Sequence, residues 1–215
     1  MIVKAPWPPR ILLMLGLAEI LMVSSASAQP LRSIDLDTYH HLLDTLFAVQ
    51  HRPPPPAIFE ISIRVVPSFG PESQVNLMLL SDQTTVAEVV VADENVHYHS
   101  EKILSATGDA GIETLAKRNT VKRYSVNVSP TLLLEWQRGL LKSLHETIGA
   151  LANPHVSNKV TLDGEAYELL YRQYPTDIHV AIDNPGTDSA LFTWAKAVNS
   201  AVAKQAPGAA HQKAN

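Results

Sequence analysis

The sequence predicts an α+β fold with a mainly antiparallel sheet, packed by one long helix and one C-terminal helix. Three observations carry that expectation. Short segments of alternating polarity follow one another in runs, joined by links of a few residues that suit hairpins and are too short for parallel crossovers. Two of these runs are each followed by a segment whose apolar residues recur at spacings of three and four. The chain has 215 residues, and a body of about 150 residues buries roughly 70% of the surface of its unfolded chain, enough for a core without metals or cross-links.

The first element is a leader. Lys4 and Arg10 precede an apolar run from Ile11 to Val23, broken only by Gly16 and Glu19, and Ala26-Ser27-Ala28 then place small residues before Gln29. Charge, apolar run and small-residue site in that order form the secretory pattern. Thirteen helical residues reach only about 20 Å, short of the ~30 Å hydrocarbon core, and Glu19 makes a permanent span less favourable still. Residues 1–28 therefore read as a signal peptide, cleaved near Ala28-Gln29, with the mature protein periplasmic or secreted. Its removal leaves 15 basic and 20 acidic groups, and an acidic chain repels phosphate backbones, so nucleic acid is not an expected partner. The absence of cysteine excludes disulfides, thiol catalysis, cysteine-ligated zinc, iron–sulfur clusters and a lipid-bearing cysteine at the cleavage site. An exported, disulfide-free chain fits a bacterial envelope or exterior better than a eukaryotic secretory route.

Residues 29–51 read as an amphipathic helical arm, with Tyr39, Leu42, Leu43, Leu46 and Phe47 near helical spacing and Ser33 or Asp37 as its cap. Residues 52–56, Arg52 and four prolines, cannot continue a helix and form a stiff linker. The α+β domain then covers 57–205. In 57–66, Phe59, Ile61, Ile63 and Val65 alternate with Glu60, Ser62 and Arg64, the pattern of a half-buried strand. Strands follow at 73–80 and 84–92. Val89-Val90-Val91 suggests that the second is covered on both faces. A further strand is expected at 96–100, a short helix over 109–118 and a strand at 120–128. Ser129 as cap and Pro130 at the first helical position start a long helix, striped by Leu133, Trp136, Leu140, Leu144, Ile148 and Leu151 and stopped by Asn153-Pro154. Asp163-Gly164 predicts a hairpin between strands 157–162 and 165–174. A strand at 178–182 leads to a last helix, capped by Thr187 or Asp188 and bearing Leu191, Trp194, Ala195, Val198 and Val202 on one side. Residues 206–215 read as a disordered tail.

Familiar catalytic signatures are absent. No G-x-S-x-G elbow, phosphate-binding P-loop or G-x-G-x-x-G fingerprint occurs, and His145-Glu146 meets Gly149 where a zinc-protease helix needs its second histidine. The sequence thus leans away from an enzyme and implies no cofactor. One metal-site candidate stands out. On a strand, His97, His99 and Glu101 would share a face, and two imidazoles with a carboxylate can hold a divalent ion and activate water for hydrolysis. Against that, the same histidines can simply face solvent. Lys117, Arg118, Lys122 and Arg123 concentrate positive charge within seven residues and are candidates for an anion or partner contact, although Lys117 and Arg118 also suit a helix C-terminus. Asp37, His40, His41 and Asp44 read as the solvated side of the arm. Trp136, Tyr167, Tyr171, Tyr174, Phe192 and Trp194 could line a pocket, with core packing as the default. The functional expectation is an exported, non-catalytic domain binding an unidentified protein or small ligand. A metal-dependent hydrolase and a purely structural envelope protein are the alternatives.

Overall fold

One six-stranded antiparallel sheet, with helices on both faces, organises the chain. The computed structural model describes residues 33–49, 56–108, 110–151, 165–182 and 189–206. The leader at 1–28, Pro53 to Pro55, the Asn153-Pro154 stop, the strand expected at 157–162, the Asp163-Gly164 turn, Thr187, Asp188 and the tail from 207 lie outside these residues. The elements are α1 (Leu36–Phe47), β1 (Ala57–Pro67), β2 (Ser73–Leu80), β3 (Thr85–Ala92), α2 (Val96–Thr107), α3 (Ile112–Arg118), β4 (Val121–Ser125), α4 (Pro130–Leu151), β5 (Glu165–Gln173), β6 (Thr176–Ile182) and α5 (Ala190–Ala203). The strand order is β4-β3-β2-β1-β5-β6, and every neighbouring pair is antiparallel. The α+β class and the antiparallel sheet agree with the sequence reading.

The first face of the sheet is apolar. Phe59, Ile61, Ile63 and Val65 of β1 join Val75, Leu77 and Leu79 of β2 and Tyr167, Leu169 and Tyr171 of β5 in one cluster with α4 and α5. From α4 come Leu133, Leu140 and Leu144, and from α5 Leu191, Ala195, Val198 and Val202. The Ser129 hydroxyl caps α4 by accepting from the Leu132 N–H at 3.2 Å. Ser189, rather than Thr187 or Asp188, caps α5. The two helices meet where the Trp194 indole lies over Gly139 and donates to the Trp136 carbonyl at 3.1 Å. Ala206, expected as the start of the tail, is buried in this cluster.

The second face carries α1, α2 and α3. Tyr39, Leu42, Leu43, Leu46 and Phe47 of α1 pack with Val90, Ala92, Val96, Ile103 and Leu115. The arm helix therefore docks on its own body, within narrower bounds than expected, and Asp35 is its cap, accepting from the Thr38 N–H at 2.9 Å. Val90 joins this cluster while Val89 joins the first, as a strand covered on both faces requires.

Two expectations are corrected. The strand at 96–100 is instead the start of α2. Asn95 caps it by accepting from the Tyr98 N–H at 3.0 Å, and Val96, Ser100 and Ile103 are buried at helical spacing. Alternation over five residues is too short to distinguish the two periods. The hairpin expected around Asp163-Gly164 cannot involve β5 as its second strand, because β1 and β6 occupy both of its edges. The observed hairpin joins β5 to β6 through Tyr174-Pro175.

Candidate functional site

β1 departs from the half-buried pattern, and that departure builds the polar centre of the molecule. Its even-numbered side chains lie on the α1 side of the sheet, and Glu60, Ser62 and Arg64 are buried although strand alternation marks them as outward. Arg64 is the hub. Its Nε donates to Gln74 Oε1 at 2.9 Å, Nη1 to Glu168 Oε2 at 2.8 Å and Nη2 to Asp44 Oδ1 at 2.7 Å, while the guanidinium lies 5.8 Å from the centre of the Phe47 ring. His40 reaches the other oxygen of Glu168 at 3.0 Å. His40 and Asp44 thus hold α1 to the sheet rather than forming only a solvated side.

The C-terminal carbonyls of α1 are bound by sheet side chains. Arg123 Nη2 donates to the Leu46 carbonyl at 2.7 Å, and Gln74 and Asn76 approach the Phe47 carbonyl at 3.4 and 3.5 Å. A guanidinium at this end also suits the helix dipole. Ser62 and Gln74 both donate to Asn76 Oδ1, at 3.0 and 2.7 Å, and Arg123 pairs with Glu88 at 3.0 Å. Nearer the start of α1, Tyr39 donates to the fully buried Glu72 at 2.5 Å, and the other Glu72 oxygen accepts the Val96 N–H at 2.8 Å. Burial first, and then the Glu72 charge, push the Tyr39 phenol far above its ordinary range, so it stays a donor. Among the described residues, Arg123 Nε is the one buried side-chain polar atom without a partner. Apart from that one atom the layer is engaged internally, as in an arrangement that fastens a helix to a sheet.

Beyond the end of α1, the same sheet face opens into a cleft of about 380 Å³. A bulge positions one wall. Ala57 pairs with Leu80 and Phe59 with Leu79, so Ile58 is the extra residue, and it is partly exposed. Met78 and Leu80 also line the cleft and belong to neither apolar cluster. Glu60 and Arg172 sit directly opposite each other on β1 and β5, with Arg172 Nη1 3.7 Å from Glu60 Oε2 and Arg172 Nε 3.8 Å from Asp177. Tyr174, in the β5–β6 turn, is 98% exposed at the rim.

The residues singled out from sequence fall differently. Consecutive helical residues are about 100° apart, so His97 and His99 on α2 diverge. His97 lies 3.9 Å from Glu101, one turn on, while His99 pairs with Glu94. His97, His99 and Glu101 therefore do not share a face as the strand expectation required. Among the described residues, no group of three or more His, Asp or Glu side chains is placed to hold a metal ion. The basic residues do not converge either. Lys122 pairs with Asp93 at 2.6 Å on one side of β4, and Arg123 points to the other side, under α1. Lys117 and Arg118 are exposed in the last turn of α3. Of the six aromatic residues, Tyr174 alone lines the cleft. Tyr167 stacks edge-on against Phe192 with centroids 5.0 Å apart, Tyr171 packs on Phe59, and the two tryptophans join α4 to α5. Sequence reasoning missed Glu60 and Arg172, which lie more than a hundred residues apart and carry no motif.

No protein-family model matches this chain, and no curated protein matches it. Among the described residues, no helix is long and apolar enough to cross a membrane.

Proposed function

We propose that this chain is an exported, non-catalytic α+β domain of a bacterial envelope or exterior, and that it binds a partner or small ligand through the cleft beyond α1. The cleft is the observation that carries the binding reading. It combines apolar lining, a buried carboxylate, a half-exposed guanidinium and a fully exposed aromatic rim, the composition expected of a small-ligand site. Supporting the non-catalytic reading, the polar residues under α1 are engaged with one another, in an arrangement that fastens secondary structure. The charged start, apolar run and Ala26-Ser27-Ala28 site support export.

Export is tested by mass spectrometry of the chain from fractionated host cells. The expected species begins at Gln29 and is found outside the cytoplasm. A cytoplasmic chain with Met1 or Ile2 intact at its start refutes the export reading.

A further inference from the structure

Arg172 and Tyr174 present flat surfaces to the same cleft. Arg172 lies opposite Glu60 across β1 and β5, and its side chain is 43% exposed. Its Nη1 is 3.7 Å from Glu60 and its Nε 3.8 Å from Asp177. Such contacts run through nitrogens at the edge of the guanidinium plane and leave its faces for stacking. The cation–ring contacts among the described residues are those of Arg64 with Phe47 and Lys196 with Phe192, so none of their rings covers Arg172. Tyr174, 98% exposed, leaves its ring open to solvent. Residues two apart on an extended chain are separated by about 7 Å. Flat groups in contact lie about 3.5 Å apart, so one planar ring fits between two surfaces at that separation. The remaining lining is mainly apolar, with Ile58 and Leu80 as aliphatic walls and the Met78 thioether, a group that suits the edge of an aromatic ring.

The cleft calls for neither sign of charge. Arg172 already has two carboxylates beside it, and Glu60 makes a further interaction besides Arg172. A charged ligand would lose hydration on entry and find these groups already engaged with one another. At about 380 Å³ the cleft is near the lower end of the roughly 300–1,000 Å³ of small-molecule sites, a size suited to one ring or two fused rings.

We propose that the cleft binds a small neutral aromatic molecule, its ring stacked between Arg172 and Tyr174 and its edge on Met78, Ile58 and Leu80. The proposal rests on the binding reading above and names its ligand class. Glu60 and Asp177 act as positioning residues, holding the guanidinium by its edge while its face takes the ring.

Calorimetric titration of the purified chain with 2-naphthol, its saturated counterpart decahydro-2-naphthol, 2-naphthoate and 2-naphthylmethylammonium tests this. 2-Naphthol is expected to saturate one site, with the other three at least about tenfold weaker. Tyr174→Leu, at a fully exposed position that leaves folding intact, should weaken 2-naphthol about fivefold and leave decahydro-2-naphthol unchanged, the size of one lost stacking face. Arg172→Lys, which keeps the charge and removes the plane, should do the same. The acetylated, amidated peptide Ala-Trp-Ala is expected to bind no more tightly than 2-naphthol, and tenfold tighter binding of the peptide overturns a small molecule as the source. Decahydro-2-naphthol binding as tightly as 2-naphthol overturns the aromatic assignment while leaving a binding cleft. Either charged probe binding more tightly than 2-naphthol overturns its neutrality, again leaving a binding cleft. Unchanged 2-naphthol affinity in both variants overturns the stacked geometry. No saturable binding of 2-naphthol overturns the proposal, and no saturable binding of any probe removes the small-ligand reading of the cleft as well.

Discussion

Replacing Arg64 with methionine removes the hub beneath α1 while keeping much of its length and apolar stem. Arg64 is 10% exposed at its side chain and Glu168 12%, so the variant leaves a largely buried carboxylate without its main partner. Breaking such a pair costs about 3–5 kcal/mol. Asp44, 66% exposed, adds at most about 1 kcal/mol. His40 still reaches Glu168 at 3.0 Å, which places the total near the lower end, about 3 kcal/mol. With a urea slope of about 2 kcal/mol per molar, the unfolding midpoint should fall by about 1.5 M at unchanged slope, read by circular dichroism. The double variant Arg64→Met with Glu168→Met should recover most of the loss, because no buried charge is then orphaned. A single-variant loss under about 1 kcal/mol would mean that the guanidinium behaves as a surface group. A double variant no better than the single would assign the cost to packing on Phe47 instead of to the stranded carboxylate.

Tyr39→Phe deletes the hydroxyl that donates to the fully buried Glu72, and should cost about 2 kcal/mol in urea unfolding near neutral pH. The phenols of Tyr39 and Tyr167 are both held above their ordinary value of 10.0, chiefly by burial. The native state therefore keeps protons that the unfolded chain releases. Their contribution is complete below pH 10 and declines as pH rises above it. The variant should lose stability less steeply than the parent between pH 9.5 and 11.5, and parallel curves would contradict that account. Gly139→Ala gains about 1 kcal/mol of helix propensity but places a Cβ 3.0 Å from Trp194 Nε1 and 3.1 Å from its Cδ1, where the indole is held by the Trp136 carbonyl. Overpacking costs about 1–3 kcal/mol, so a net loss of about 1 kcal/mol with a shift in tryptophan emission is expected. A stabilised variant with unchanged emission would show that the ring yields freely.

Elements with strong local signals were legible from composition and spacing. The Ser129-Pro130 start and leucine stripe of α4, the alternation of β1 and the doubly apolar Val89-Val90 segment each reflect forces acting within a few residues, namely capping, side-chain periodicity and two-sided burial. The start of α2 was not legible, because Val96, His97 and Tyr98 fit a strand and a helix equally until Ile103 adds another helical turn. The hairpin was misplaced because Asp163-Gly164 is a strong local turn signal, while the partners of β5 are set by the rest of the sheet.

The candidate site divides along the same line. Sequence alone determined the class of fold and the unavailability of cysteine chemistry, since these depend on residue types and short-range order. Only the tertiary structure decided that α1 closes over the Arg64 end of the even-numbered side of β1, and that Glu60, Ser62 and Arg64 are buried instead of outward. It also decided that Glu60 meets Arg172 at the mouth of a cleft. The physical reason is that strand alternation reports two faces without reporting what covers the second one. Coverage depends on helices and strands brought together from distant parts of the chain, and burial is what turns ordinary polar residues into a hydrogen-bonded network under α1 and part of the lining of a cleft beyond it.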